Sequence, residues 1–295
     1  MPKDRVWVNV ALLALTFVTT TWTGIDHWLS FDANFRLPAG PIDLVGAAIH
    51  GLWYSVTILA ILGAHELGHY LACRHYGISA TLPYFLPVPF PLTGTAGAFI
   101  RIREPITTKR ALFDIGIAGP LAGFAVAVPA LFLGLYLSRV VEVPPDFQGL
   151  SLGEPLLFKA ASHLLWGTLP DSLSVNMHPM AFAAWFGLLA TALNLIPIGQ
   201  FDGGHIAYAA LGRHAHRVTI ASLVATVGLS IYSSSWIAWT VIAIGLLVAF
   251  GWRHPSVWDE EVPLDTRRRW MALLALAIFV LCFTPAPIEP LDLLH

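Results

Sequence analysis

Residues 44–73 read LVGAAIHGLWYSVTILAILGAHELGHYLAC, a run of thirty residues in which Glu66 is the only acidic group and Lys and Arg are absent. About 20 apolar residues are enough to cross the hydrocarbon core of a bilayer, so this stretch predicts a transmembrane helix. An ionisable side chain inside such a helix costs about 2.5 to 3.5 kcal/mol on insertion scales. Glu66, with histidines on either side of it, is therefore expected to have a function that compensates for this cost.

The 295-residue chain as a whole is similarly apolar, with 56% hydrophobic and 12% charged residues, whereas soluble domains carry about 25% charge. Six further apolar segments are Val6–Gly24, Ala111–Leu137, Met180–Ile198, Ala215–Tyr232, Trp236–Trp252 and Trp270–Ile288. The last is the least regular, because Pro285 and Pro287 break a helix. These segments predict an all-α polytopic membrane protein with about seven transmembrane helices. We expect a single transmembrane domain over residues 1–295, with a core at 44–212 and C-terminal helices at 215–288.

Net charge argues against a nucleic-acid partner, and cysteine content argues against disulfides and cysteine metal sites. A formal net charge of −2 provides no basic field for binding nucleic acid. The two cysteines, Cys73 and Cys282, lie in apolar surroundings, so a disulfide framework or a cysteine metal site is not expected. The lipid bilayer and other membrane proteins remain as partners, and the sequence does not specify the oligomeric state.

The distribution of Lys and Arg predicts the orientation in the membrane. Most of them fall on alternate predicted loops, at residues 3–5, 74, 101–110, 213–217 and 253–269. Loops rich in Lys and Arg stay in the cytosol, which places the N-terminus inside and, after seven crossings, the C-terminus outside.

Three stretches between the spans have other compositions. Leu82–Thr95 combines four prolines with apolar residues, which favours a segment that re-enters the membrane rather than a helix or a free loop. Gly94–Arg103 has the glycines and β-branched residues of a strand or hairpin. Glu154–Leu169 places its leucines at helical spacing, which predicts an amphipathic helix on the outer surface.

The segment HELGH at residues 65–69 predicts a metal site. His65 and His69 are four residues apart and share one helical face, while Glu66 is one residue from the first imidazole. This HExxH arrangement is typical of zinc hydrolases, in which the glutamate serves as general base. A catalytic zinc ion needs a third protein ligand and an open position for water.

The third ligand is expected from the segment NLIPIGQFDGG at residues 194–204. Pro197 ends or kinks the fourth predicted helix, and the double glycine allows a tight turn that would present Asp202 to the interior. The second and fourth spans run in the same direction, and both carry their polar groups near the cytosolic end. The sequence therefore predicts that His65, His69 and Asp202 meet in the cytosolic leaflet.

These motifs resemble those of the site-2 protease family of intramembrane zinc metalloproteases. The resemblance rests on HELGH at 65–69, AGP at 118–120 and NLIPIGQFDG at 194–203, and it covers residues 63–212. PYFLP at 83–87, followed by GAF at 97–99 and FDIGIAGPLAG at 113–123, is most similar to the branch without a PDZ domain, which occurs in bacteria, archaea and plastids.

The resemblance implies that His65, His69 and Asp202 bind one Zn²⁺ ion, that Glu66 is the catalytic acid/base, and that Asn194 contacts the substrate or the oxyanion. It implies hydrolysis of peptide bonds in or near the transmembrane helices of substrate proteins. We expect a prokaryotic cell membrane, with a plastid membrane as the alternative. Because a helical substrate must unwind before cleavage, the composition and position of the strand around Ala98–Arg103 lead us to expect that it holds the unwound stretch by edge pairing.

Two other functions remain open at the level of sequence. A metal permease would use the same His/His/Asp site for transit, although the outer halves of the spans beyond His50 offer few polar groups. A non-catalytic membrane chaperone would bind helices without cleaving them.

The third predicted span carries two further features. Gly116, Gly119 and Gly123 form a small-residue face that is typical of close helix packing. The alternative interpretation is that a kink at Pro120, within this face, frees a backbone carbonyl for a functional contact. Asp114 is expected to be a charge at the helix N-terminus, with contact to a ligand histidine as the alternative.

Overall fold

The computed structural model describes residues 5–34, 41–89, 92–144, 149–170, 172–250 and 257–290, without the side chains of 249 and 250. Within these ranges the helices are α1 Val6–Asp32, α2 Leu44–His75, α3 Lys109–Tyr136, α4 Leu156–Trp166, α5 Pro179–Leu195, α6 Asp202–Leu211, α7 Ala215–Tyr232, α8 Ser235–Phe250 and α9 Thr266–Cys282. The strands are β1 Tyr84–Pro87, β2 Thr95–Phe99, β3 Arg139–Glu142, β4 Leu150–Leu152, β5 Leu173–Asn176 and β6 Ile288–Pro290. They pair as three two-stranded sheets, β1 with β2, β3 with β5 and β4 with β6. The protein is mostly helical, as predicted.

Four helical runs among the described residues are long and apolar enough to cross a membrane, which supports a multi-pass membrane protein. They are α1, α2, α3 and the continuous run Asp202–Tyr232, with 27, 32, 28 and 31 residues. The other long helices, α5, α8 and α9, have 17, 16 and 17 residues, slightly fewer than the ~20 of a typical span. Seven crossings therefore remain a prediction.

Helix α3 lies at the centre of the bundle, in contact with both α2 and α5. Its N-terminus is capped by Thr108, whose hydroxyl accepts a hydrogen bond from Ala111 N at 3.3 Å. Phe113 and Leu131 on α3 are buried together with Trp185 on α5 and Ile61 on α2 in one apolar cluster. This central position of α3 determines how closely α2 approaches the other helices.

Helices α1 and α2 cross at a pair of glycines. A Cβ atom on Gly24 would lie 2.2 Å from the carbonyl oxygen of Gly51, so the two backbones touch at this point. Beside the crossing, the hydroxyls of Thr20 and Ser55 are 2.8 Å apart and form a buried hydrogen bond. Small residues at such contacts are typical of helix packing within membranes.

The strand predicted within Gly94–Arg103 forms as β2 and pairs with β1 as an antiparallel ladder, with Tyr84 opposite Phe99 and Phe85 opposite Ala98. The sequence did not predict β1 as a strand, because its prolines argue against one. Pro87 lies at the end of β1, where the register is irregular and the missing N–H is tolerated.

Side chains of α1 form hydrogen bonds at several points with the β1–β2 segment, which comprises residues 82–89 and 92–99. Asn9 Nδ2 donates to the carbonyls of Leu82 and Pro83, each at 3.0 Å. Thr19 Oγ1 donates to the carbonyl of Gly94 at 2.6 Å, and His27 Nε2 lies 3.1 Å from the carbonyl of Leu92. Each contact satisfies a backbone carbonyl outside the regular ladder.

The helix predicted within Glu154–Leu169 forms as α4, whereas the sheets on either side of it were missed. The β4–β6 sheet joins Leu150 to Pro290, and the β3–β5 sheet joins Arg139 to Asn176. Strands of three or four residues with partners this distant leave little periodic signal in a sequence.

The α1–α2 crossing gives a test of the packing. Gly51→Val should destabilise the protein by about 1 to 3 kcal/mol, because the new side chain meets the backbone of Gly24 and Ile25. Thermal unfolding in detergent measures this loss. Gly245→Val is the matched control, because a Cβ there meets nothing within 4 Å. Equal stability of the two variants would contradict the close crossing.

Candidate metal centre

His65 and His69 lie side by side on the buried face of α2. Their Nε2 atoms are 3.1 Å apart, as expected for residues four apart on one helical face. The residues are 7% and 8% exposed, so the imidazoles are almost completely withdrawn from the surface.

Asp202 reaches the same point from a distant part of the chain. Its Oδ2 atom lies 3.2 Å from His65 Nε2 and 3.3 Å from His69 Nε2. The structure therefore brings together the three residues expected to form the site. The ligand atoms they offer lie within 4.8 Å of one another.

The local structure around Asp202 differs from the expectation. Asp202 is the first residue of α6 rather than the end of the fourth helix, and the chain reverses at Gly199, whose φ is +50°. Gly203 and Gly204 belong to α6 and permit close packing instead of forming the turn. A Cβ on Gly203 would lie 2.1 Å from the carbonyl oxygen of Leu195. The double glycine thus brings α6 against the end of α5.

The two predicted catalytic residues flank this centre. Glu66 is 8% exposed, and its carboxylate lies close to the backbone of Ile100, just beyond β2. The Asn194 amide lies on α5, with Nδ2 3.4 Å from His65 Nε2. Both side chains therefore face the space around the imidazoles.

Helix α3 completes the surroundings in a way that the sequence did not predict. His69 Nδ1 lies 2.7 Å from the carbonyl oxygen of Ile115 and donates to it, which leaves the lone pair of Nε2 directed at the centre. A Cβ on Gly119 would lie 2.1 Å from His69 Nε2, and one on Gly123 would lie 3.2 Å from His65 Cβ. The glycine face of α3 indicated close packing, but not that the packed partners would be these histidines.

Neither Pro120 nor Asp114 takes the alternative role that the sequence suggested for it. Pro120 has no N–H to donate to the carbonyl of Gly116, so it frees that carbonyl, whereas the carbonyl that accepts from His69 belongs to Ile115. Asp114 does not contact a ligand histidine through its side chain; it forms an ion pair with Arg268.

The donor set fits a zinc ion. Two neutral imidazoles and one carboxylate are a common protein contribution to a catalytic zinc site, which keeps a further position open. Both imidazole nitrogens face the same carboxylate oxygen at 3.2 and 3.3 Å, an arrangement that a cation between them would stabilise. Burial of these groups in an apolar bundle without a cation would be costly.

Comparison with known proteins places this centre in a family. Residues 53–235 match the model of peptidase family M50, and this range includes both histidines and Asp202. The chain belongs to peptidase family M50. This confirms the resemblance inferred from the motifs.

Curated relatives in plants support the M50 assignment. The chain is 32% identical over 263 residues to the probable zinc metalloprotease EGY2, chloroplastic, of Arabidopsis thaliana, covering 85% of this chain and 46% of the relative. It is 32% identical over 238 residues to EGY1 of the same plant, covering 77% and 42%. A rice EGY1 is 37% identical over 167 residues, covering 54% and 28%. The chain thus spans about half or less of the length of these relatives.

Gly119→Ala tests the contact between α3 and the M50 centre. The new methyl group would meet His69 Nε2, so we expect zinc affinity to fall by about tenfold or more. Zinc content after dialysis against a buffered zinc concentration measures the effect. Gly228→Ala on α7, where a Cβ meets nothing within 4 Å, should bind zinc normally. Undiminished zinc in Gly119→Ala would show that the ring of His69 is not confined by α3.

Proposed function

We propose that this chain is an intramembrane zinc metalloprotease that hydrolyses peptide bonds in or near the transmembrane helices of membrane proteins. The observation that carries the proposal is the convergence of His65, His69 and Asp202 beside Glu66 inside an apolar helix bundle. Membership of peptidase family M50 and the relatives named as probable zinc metalloproteases support it.

One zinc ion held by His65, His69 and Asp202 would supply Lewis acidity and lower the pKa of water enough for it to act as a nucleophile near neutral pH. Glu66 is placed to accept a proton from that water and to pass it to the leaving amide nitrogen. The low exposure of Glu66 keeps bulk water from competing with the proton transfer.

Asn194 is the proposed hydrogen-bond donor to the oxygen that becomes negatively charged during attack. Its amide lies next to His65, on the wall of the centre formed by α5. A donor fixed before the reaction stabilises developing charge without the cost of reorganisation. The end of α5 holds Asn194 rigidly, because Leu193 and Leu195 on either side are buried.

Strand β2 is the proposed support for the unwound stretch of substrate. Backbone N–H groups alternate in direction along a strand, so Ala98 N–H points to the same side of the strand as Ile100 N–H, and the backbone of Ile100 lies close to Glu66. A substrate strand paired with this side of β2 would bring its peptide bonds next to the catalytic carboxylate.

We also propose seven crossings with the N-terminus in the cytosol, and a β1–β2 segment that re-enters the membrane. The Lys and Arg distribution supports the orientation, which places the centre in the cytosolic leaflet. The contacts of this segment with α1 extend from Asn9 to His27, about 27 Å at the rise of a helix, which supports deep insertion. The membrane is that of a prokaryotic cell or of a plastid, where the stromal side takes the place of the cytosolic side; the chloroplastic relatives favour the plastid.

Glu66→Gln tests the proposed chemistry. The amide cannot accept the proton, so cleavage of a reporter transmembrane substrate should fall by about a hundredfold or more while zinc content stays the same. Glu154→Gln, which changes an exposed glutamate near α4, is the matched control and should cleave normally. A permease would still transport metal in the Glu66 variant, and a chaperone would still bind helices. Full proteolysis in Glu66→Gln would remove this residue from the mechanism.

Ala98→Pro tests the role of the strand. Loss of the N–H on the proposed pairing side of β2 should slow cleavage by about tenfold without loss of zinc, since one hydrogen bond to substrate is worth about 1 kcal/mol or more. Ala98→Val keeps the N–H and the preference for strand, so it should retain activity. If the two variants cleave a single-span substrate at equal rates, edge pairing at this position is wrong.

A further inference from the structure

A second polar cluster lies outside the metal centre, where α2, α3 and α9 meet. Arg268 Nε and Nη2 donate to the two carboxylate oxygens of Asp114 at 2.8 and 2.5 Å. Tyr76, immediately after α2, donates its hydroxyl to Asp114 Oδ2 at 2.5 Å. Arg268 also donates through Nη1 to Asp265, the residue that caps α9.

The geometry of this cluster is more specific than that of an ordinary surface ion pair. Arg268 engages Asp114 with two parallel N–H donors, an arrangement that fixes the relative position of the two groups. The Arg268 and Asp114 side chains are 20% and 25% exposed. Arg267 and Arg269 on either side are exposed, and Arg268 is the member of this run of three arginines that pairs with Asp114.

A set of hydrogen bonds, from both backbone and side-chain atoms, joins the segment before α9 to the beginning of α3. Trp258 N donates to Thr107 O at 2.9 Å, and Lys109 N donates to Asp259 Oδ1 at 2.7 Å. Lys109 is 6% exposed, and its amino group donates to Val262 O at 3.0 Å. The first turns of α3 are therefore held from outside the catalytic core.

Helix α3 connects Asp114 to the metal centre through two contacts with His69. Asp114 is followed directly by Ile115, whose carbonyl accepts the hydrogen bond from His69 Nδ1 at 2.7 Å. One turn further along, Gly119 lies against the ring of the same histidine. A rigid helix cannot shift at Asp114 without moving both contacts to His69.

We propose that Arg268 is a positioning residue for His69, acting through Asp114 and the backbone of α3. It does not touch the reacting atoms; it fixes the carbonyl that sets the tautomer and the orientation of a ligand imidazole. Partners of this kind outside the ligand set influence metal affinity strongly. The inference rests on the proposed function, because it treats His69 as a zinc ligand.

Arg268→Gln is the decisive variant, measured first on metal binding rather than on proteolysis. The zinc affinity of the metal-free protein should fall by about tenfold, and the visible absorption of the Co²⁺-substituted protein should change, because His69 is no longer held in one orientation. With zinc at saturation, kcat should fall while KM for a single-span substrate is unchanged, because Arg268 does not line the substrate strand.

Two matched variants separate positioning from loss of charge. Arg267→Gln removes the adjacent exposed arginine and should leave zinc affinity and the Co²⁺ spectrum as in the wild type. Exchanging the partners, Asp114→Arg together with Arg268→Asp, should recover part of the zinc affinity lost in Arg268→Gln.

Thermal unfolding of each variant distinguishes an effect of Arg268 on the orientation of His69 from a contribution of Arg268 to stability alone. Reduced stability of Arg268→Gln with wild-type zinc affinity and Co²⁺ spectrum would overturn the inference. If Arg268→Gln does not fold, Asp114→Asn is measured by the same criteria and decides the question. A wild-type protein that binds zinc but cleaves no substrate would contradict the proposed function alone, since the metal-binding measurements remain interpretable.

Discussion

The structure depends on the interaction between one carboxylate and two imidazoles inside an apolar bundle. Asp202 Oδ2 lies within 3.3 Å of the Nε2 atoms of His65 and His69, although the carboxylate and the imidazoles come from distant helices. Each of these groups would be costly in an apolar interior by itself. When they converge, each group gains polar partners that offset the cost of its burial. This convergence requires α2, α3, α5 and α6 to take specific relative positions.

Small residues make those positions accessible. Gly119 allows α3 to lie against the ring of His69, and Gly203 allows α6 to approach the end of α5 so that Asp202 reaches the imidazoles. Within a membrane, apolar side chains gain little by leaving lipid, so helices associate through close packing and hydrogen bonds. The glycines and the polar centre therefore depend on each other.

The C-terminal part of the chain is tied to the same core. The segment from Trp258 to Arg268 contacts the beginning of α3 through backbone and side-chain hydrogen bonds. Helix α3 then contacts α2 at His69 through Ile115. Hydrogen bonds thus link residues far beyond the HELGH and NLIPIGQFDG segments to the helix that contacts His69.

The sequence by itself determined the membrane class, the long apolar helices and the pair His65 and His69, because hydrophobic length and i, i+4 spacing are local properties. Asp202 was expected as their partner from the motif at residues 194–204 and its resemblance to a known family. It did not determine that Asp202 begins a helix, that the Ile115 carbonyl orients His69, or that Arg268 pairs with Asp114. The last two are contacts with a backbone atom or with a partner more than a hundred residues away. Only the packing of whole helices decides them, because no residue type or spacing specifies which carbonyl a distant side chain will meet.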